Sequence, residues 1–230
     1  MSKSQDPIEN IVQHIQNKSV IKQQTYKHLL EAFGQIKEQA SSLVSQINER
    51  TQNVDKDVTV VMEEISSTEF HVKVAGDLLV FLLHTNIVTF DNEHAIVNSR
   101  QIEEDANRRY FGQIMVYNFM SDSVKYNRLN DPGYLVARLL INYENHFFVE
   151  GEGQLNFLFK NISDHQITPL DLDVIIKLSI TEAAQSDLIT PPFQDIKYIS
   201  LNQKMEKDHH LGAGEKIGFK MSYQDENPTY

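Results

Sequence analysis

The sequence predicts an α+β fold in which a long, heptad-patterned N-terminal helical arm precedes a mainly antiparallel β-sheet body with one or two helices. Three observations carry that prediction. Between 8 and 47, seam positions recur in alternating steps of four and three; beyond 53 the apolar period shortens to two; and between 99 and 110 the alternation gives way to charges spaced four apart. The boundaries that follow are an arm over 1–52, a β-rich globular domain over 53–221 and a disordered tail over 222–230.

The arm opens with Asp6-Pro7-Ile8-Glu9. Asp6 supplies a capping carboxylate, Pro7 suits the first helical position, and Glu9 stands where a capping box places its acid, so the helix is expected to start at Pro7. Its seam runs through Ile8, Val12, Ile15, Ser19, Lys22, Tyr26, Leu29, Phe33, Ile36, Ala40, Leu43 and Ile47. Asn17-Lys18-Ser19 interrupts the apolar pattern and Val20-Ile21 fall off it, which predicts a break with Ser19 capping a second helix. A seam this narrow suits a partner helix better than a broad core face, so Tyr26, Leu29, Phe33, Ile36, Leu43 and Ile47 are the expected association residues. The same pattern also fits an arm packed on its own sheet, and periodicity does not separate the two.

In the body, Val58, Val60 and Met62 and then Phe70, Val72 and Val74 alternate with polar residues, as half-buried strands do. After Gly76-Asp77, the run 78–83 is apolar at every position and predicts a central strand covered on both faces. Ile87-Val88-Thr89-Phe90 and Ala95-Ile96-Val97 extend an expected antiparallel meander over 58–97. Ser99 then starts a short exposed helix in which Arg100/Glu104, Glu104/Arg108 and Asp105/Arg109 are spaced as ion pairs. Strands follow at 113–119, 134–143 and 146–159, with Gly151 and Gly153 marking a bulge or a close backbone approach in the last. Thr168-Pro169 starts a helix, Thr190-Pro191-Pro192 ends what precedes it, and 196–201 is a further strand or a helical turn. The sheet is therefore expected to hold seven or eight strands.

Composition narrows the functional classes. The 230 residues contain no Cys, which removes disulfides, thiolate metal sites and cysteine nucleophiles and suits a reducing compartment. No signal peptide and no membrane span is expected, and the location expected is cytoplasmic. Residues 1–52 hold six Lys/Arg against five Asp/Glu, whereas 53–230 hold fifteen against twenty-seven. An acidic body opposes a polyphosphate backbone, so no nucleic-acid partner is expected.

Chemical motifs are sparse. Asn53, Asp55, Asp57, Thr59, Val61 and Glu64 fall at the ligand positions of an EF-hand loop, but Val58 stands where the sharp turn needs Gly and a strand follows instead of a helix, so no metal is expected. Five of six arginines lie between 100 and 138, and Arg108, Arg109 and Arg128 form an expected anion site if the 99–110 helix folds against the 121–133 loop. The competing expectation pairs them with Glu103, Glu104 and Asp105. Histidines are scattered, and His209-His210 beside Gly212-Ala-Gly214 reads as a solvated loop. There is no G-x-S-x-G elbow and no phosphate loop, so no catalytic residue and no cofactor is assigned. The expected function is that of a non-enzymatic interaction or assembly protein. Its partner would be a protein, self or other, met through the N-terminal helix, with a homo-oligomer expected. The alternative is a β-domain that binds a small molecule or anion in an apolar pocket.

Overall fold

The computed structural model describes residues 7–51, 55, 58–129, 131–187, 192–198 and 200–202. The described residues begin with one continuous helical rod: α1 (Pro7–His14), a π-helical turn (Ile15–Ser19) and α2 (Val20–Arg50). The break expected at 17–19 is not made. Ser19 has helical angles (φ −73°, ψ −34°) and its side chain caps nothing. The physical reason is that Asn17-Lys18-Ser19 contains neither Gly nor Pro, and a π turn accommodates one extra residue without ending a helix. That extra residue absorbs the offset of Val20-Ile21 from the seam.

Six strands follow: β1 (Val60–Ser66), β2 (Glu69–Val74), β3 (Asp77–Val88), β4 (Phe111–Met120), β5 (Tyr134–Ile141) and β6 (Phe147–Gly151). They form one antiparallel meander in which sequence order is spatial order. Residues 91–98 are turns and not a strand, because three apolar residues between polar clusters are too few to pair, and Ile96 is buried in a small core instead. Residues Gly153–Phe159 form helix α5 where a strand was expected. Gly153 at φ +54° swings the chain out of β6, and Leu155 packs against Gly151, where a side-chain carbon would lie 3.0 Å from Leu155 Cβ. Among the described residues the remaining helices are α3 (Arg100–Glu104), a 3-10 turn (Ala106–Arg109), α4 (Ser121–Lys125), α6 (Pro169–Gln185) and α7 (Phe193–Ile196). In α6, Thr168 Oγ1 accepts from the backbone N–H of Asp171 while the Asp171 carboxylate accepts from that of Thr168, a reciprocal cap that fixes the helix start.

The main core lies between the sheet and helices α2 and α6. Leu29, Phe33, Ile36, Ala40 and Val44 of α2 and Leu172, Ile175, Ile176 and Ile180 of α6 meet Phe70, Val72, Leu79, Phe81, Ile114, Val116 and Leu139. Phe33, Phe70 and Phe81 continue this contact as rings, with centroids 5.4 Å and 4.5 Å apart. At Gly112 the helix approaches closely enough that only Gly fits under Leu29 without adjustment. Farther along, Asn48 Nδ2 donates to the Val60 carbonyl at 2.9 Å and Lys37 pairs with Glu64 at 2.6 Å, pinning α2 to β1.

Run 78–83 is not equally covered on its two faces. Leu79, Phe81 and Leu83 lie in the main core, whereas Leu78, Val80 and Leu82 point to the other side and belong to neither apolar core; Leu78 is buried there, and Val80 and Leu82 stay half-buried. On that outer face a second cluster of Ile96, Ile102, Phe111, Leu140, Phe148 and Ile162 covers the end of the sheet where β4 starts.

Candidate functional site

Within one chain the expected association residues have an occupant already. Leu29, Phe33 and Ile36 are at most 3 % exposed, and Tyr26, Leu43 and Ile47 are partly buried against the same core. Leu29, Phe33 and Ile36 therefore cover the sheet, with Tyr26, Leu43 and Ile47 at the margin of the same contact, because the sheet's inner face offers Phe70, Phe81 and Ile114 as a continuous apolar surface within the same chain. The seam separates into two lengths. From Thr25 onward it is the underside of α2, whereas from Pro7 to Ser19 no residue is buried.

Ile8, Ile11 and Ile15 are 67 %, 58 % and 57 % exposed. With Val12 they occupy positions i, i+3, i+4 and i+7, an apolar stripe about two turns long on one side of the rod. Lys18 and Lys22 place their ammonium groups 5.6 Å and 5.5 Å from the ring centroid of Tyr110, so the rod crosses the rim of the sheet there. Beyond that crossing the stripe projects past the sheet. Ile11 lies off the strict heptad seam; the signal that finds it is the broader i, i+3 stripe.

The three arginines expected to gather round an anion do not converge. Arg108 and Arg109 sit just before β4, and Arg128 follows α4 beyond the far end of that ten-residue strand, about 30 Å along it. Arg108 pairs with Glu144 (Nε–Oε2 2.5 Å) and Glu104, Arg109 donates to Thr89 and Asn92, and Arg128 is buried beside Asp131. The Arg108 group is part of a brace between the 106–109 turn and the β5–β6 hairpin. In it Tyr143 donates to Asp105, and that hydrogen bond, opposed by burial, holds the Asp105 carboxyl below its usual range. Burial, then the same hydrogen bond, pushes the Tyr143 hydroxyl up. Both shifts favour the brace as it stands at neutral pH.

The EF-hand alignment is not supported where it is described: β1 begins at Val60, and Glu64, the expected bidentate ligand, lies in that strand and is paired with Lys37. Asn53 and Asp57, like His209, His210, Gly212 and Gly214, lie outside the described residues. Among the described residues no cluster of three His, Asp or Glu is placed to hold a metal, and no helix is long and apolar enough to cross a membrane.

An open cleft of about 880 Å³ lies beside the second apolar cluster, with His94, Ser99, Gln101, Glu150 and Lys160 among its walls. Its residue types suggest a Ser-His-Glu triad, but its geometry does not make one. His94 Nδ1 accepts from the Ile96 N–H at 3.3 Å and Nε2 faces Glu150 at 3.5 Å, so neither ring nitrogen is left to take a proton from Ser99. Gln101 Nε2 donates toward the carbonyls of Ile162 and Ser163 and toward Asp164, which fixes the amide and leaves Oε1 buried without a donor; Ser99 Oγ is likewise buried without a partner.

Comparison with protein-family models, with curated proteins and with solved structures finds no match. The function is therefore argued from the geometry of the chain itself.

Proposed function

We propose that this is a non-enzymatic association protein whose contact element is the projecting end of its N-terminal helix. The observation that carries the proposal is the change in one helix from buried to exposed at constant apolar patterning: the stripe of Ile8, Ile11, Val12 and Ile15 repeats the chemistry of Leu29, Phe33 and Ile36 with no sheet beneath it. An apolar stripe on a rod that is otherwise solvated gains by burial against another protein, at about 25 cal/mol per Å² of apolar surface removed from water. The test is mass in solution by light scattering, for the full chain and for the full-length double variant Ile11→Asp/Ile15→Asp. An assembled parent and a monomeric variant with unchanged circular dichroism support the reading, and a monomeric parent at tens of micromolar overturns it.

A second reading rests on the cleft, where the fixed, unpaired acceptor of Gln101 and the hydroxyl of Ser99 suit a small ligand carrying N–H or O–H donors. Chemical-shift changes confined to residues 94–101 and 160–164 on adding a small-molecule panel support it. A panel that moves none of them counts against it.

A further inference from the structure

The outer face of the sheet is a feature that the proposed function leaves unused. Side chains alternate along strands and cross-strand partners share a face, so the register assigns the outer residues directly. Val80 lies opposite Tyr117, Leu82 opposite Met115, and Tyr117 opposite Leu135 across the irregularity in the β4–β5 pairing. Tyr117 OH donates to Met115 Sδ at 3.5 Å and the Tyr117 and Phe119 rings are 6.4 Å apart, as residues of one face should be. Val80, Leu82, Met115, Tyr117, Phe119 and Leu135 thus form one apolar patch across β3, β4 and β5. All are half-buried or exposed and none belongs to either core. Polar side chains bound it on both sides: the Glu69–His71 pair on β2, and Arg138 paired with Glu150 across β5 and β6. An apolar centre with a polar rim is the anatomy of a contact surface.

We infer that this patch receives the projecting helix end of a second copy of the chain, an inference that rests on the proposed function and names its partner. Three physical arguments select that occupant. The chain's own helix lies over the opposite face and leaves across the sheet rim at Tyr110, so its stripe projects away from the patch. Two stripes of about two turns would bury little surface against each other, being well short of the roughly three to four heptads that mark a coiled coil. A sheet gives a broader seat, and the inner face already takes the same helix through Leu29, Phe33 and Ile36.

Charge disfavours the remaining symmetrical choice. Two bodies meeting patch to patch would bring together two domains whose residues 53–230 each hold fifteen Lys/Arg against twenty-seven Asp/Glu. Residues 7–19 carry Glu9 and Lys18, which cancel, so a helix end approaches an acidic body without that repulsion. Exchange of helix ends about a two-fold axis uses both contacts twice and leaves neither surface open.

The chain has no cysteine, so introduced ones report without background. Two full-length variants, Ile11→Cys and Val80→Cys, are treated with a short bis-maleimide, each alone and as an equimolar mixture. Circular dichroism and light scattering confirm that both are folded and record their mass. A cross-linked dimer that forms in the mixture, far above the yield from either variant alone, is the expected result. Dimers from Ile11→Cys alone would show helix ends pairing with each other, which overturns the inference and leaves the proposed function standing. Dimers from Val80→Cys alone would show patches pairing, and would also overturn it. An assembled protein that gives no cross-link overturns the inference by itself, whereas monomeric protein throughout overturns both readings.

Discussion

Replacing Gly112 and Leu29 by Ala, singly and together, tests whether the arm is seated on the sheet in solution. A side-chain carbon at Gly112 would lie 2.9 Å from Leu29 Cδ2 and 3.1 Å from its Cβ and Cδ1. Those separations are below ordinary contact, so Gly112→Ala is expected to destabilise by about 2 kcal/mol, the middle of the range for overpacking a filled site. Leu29 is fully buried, and Leu29→Ala is expected to cost about 3 kcal/mol, through lost burial and the cavity it leaves. For a chain of this size that loss lowers Tm by about 6–12 °C. In the double variant the new methyl occupies part of the space that the Leu29 Cδ atoms vacate and meets only the Cβ retained at position 29, 3.1 Å away, so most of the overlap is relieved. Its total should therefore stay near about 3 kcal/mol and not reach the sum of about 5. Urea unfolding followed by circular dichroism reads all four proteins on one scale. Effects that add to within about 0.5 kcal/mol would refute the contact, and with it the placement of α2 on the sheet.

Three further outcomes follow from the same packing. Deleting 1–52 should leave an aggregated, molten body, because it strips Leu29, Phe33, Ile36, Ala40 and Val44 from the sheet, whereas deleting 1–19 removes no buried residue among those described, 7–19, and should leave Tm nearly unchanged; size-exclusion chromatography and thermal melts distinguish the two. Tyr143→Phe removes the hydrogen bond that chiefly depresses the Asp105 pKa. A depressed carboxyl stabilises the fold above its unfolded pKa and loses that contribution as pH falls through the folded value. The variant should be weaker by about 1 kcal/mol at neutral pH after allowance for solvent screening, with the deficit closing in acid; a deficit independent of pH in urea titrations would contradict this. Thr168→Ala opens the reciprocal cap of α6 and should cost about 1 kcal/mol by urea unfolding, with Thr168→Ser restoring most of it.

The register of side chains was legible in the sequence wherever the polymer's own geometry sets it. The 3.5-residue seam made a helix from Pro7 to Arg50, and period-two alternation made β1 and β2, because backbone periodicity is a local property of the chain. The reciprocal Thr168–Asp171 cap was foreshadowed by Thr168-Pro169 for the same reason. Where two backbone states both suit a segment, tertiary contacts decided: Gly153–Phe159 became a helix because Leu155 reaches the core that way, and Ile96 fills the outer cluster from a turn. The seam's partner was likewise a tertiary decision, since Leu29, Phe33 and Ile36 would fit a second helix as well as they fit Phe70 and Ile114. Arg108, Arg109 and Arg128 fall within one arginine-rich stretch of sequence, yet β4 holds them at its two ends, because an extended strand of ten residues lies between them. The uncovered outer patch did leave a trace, in the 78–83 run and in the unbroken 114–117 run Ile114-Met115-Val116-Tyr117, apolar on both sides of their strands. Sequence by itself determined that β3 and β4 have two apolar faces; only the tertiary structure decided which one the chain covers, because α2 and α6 lie over a single side of the sheet.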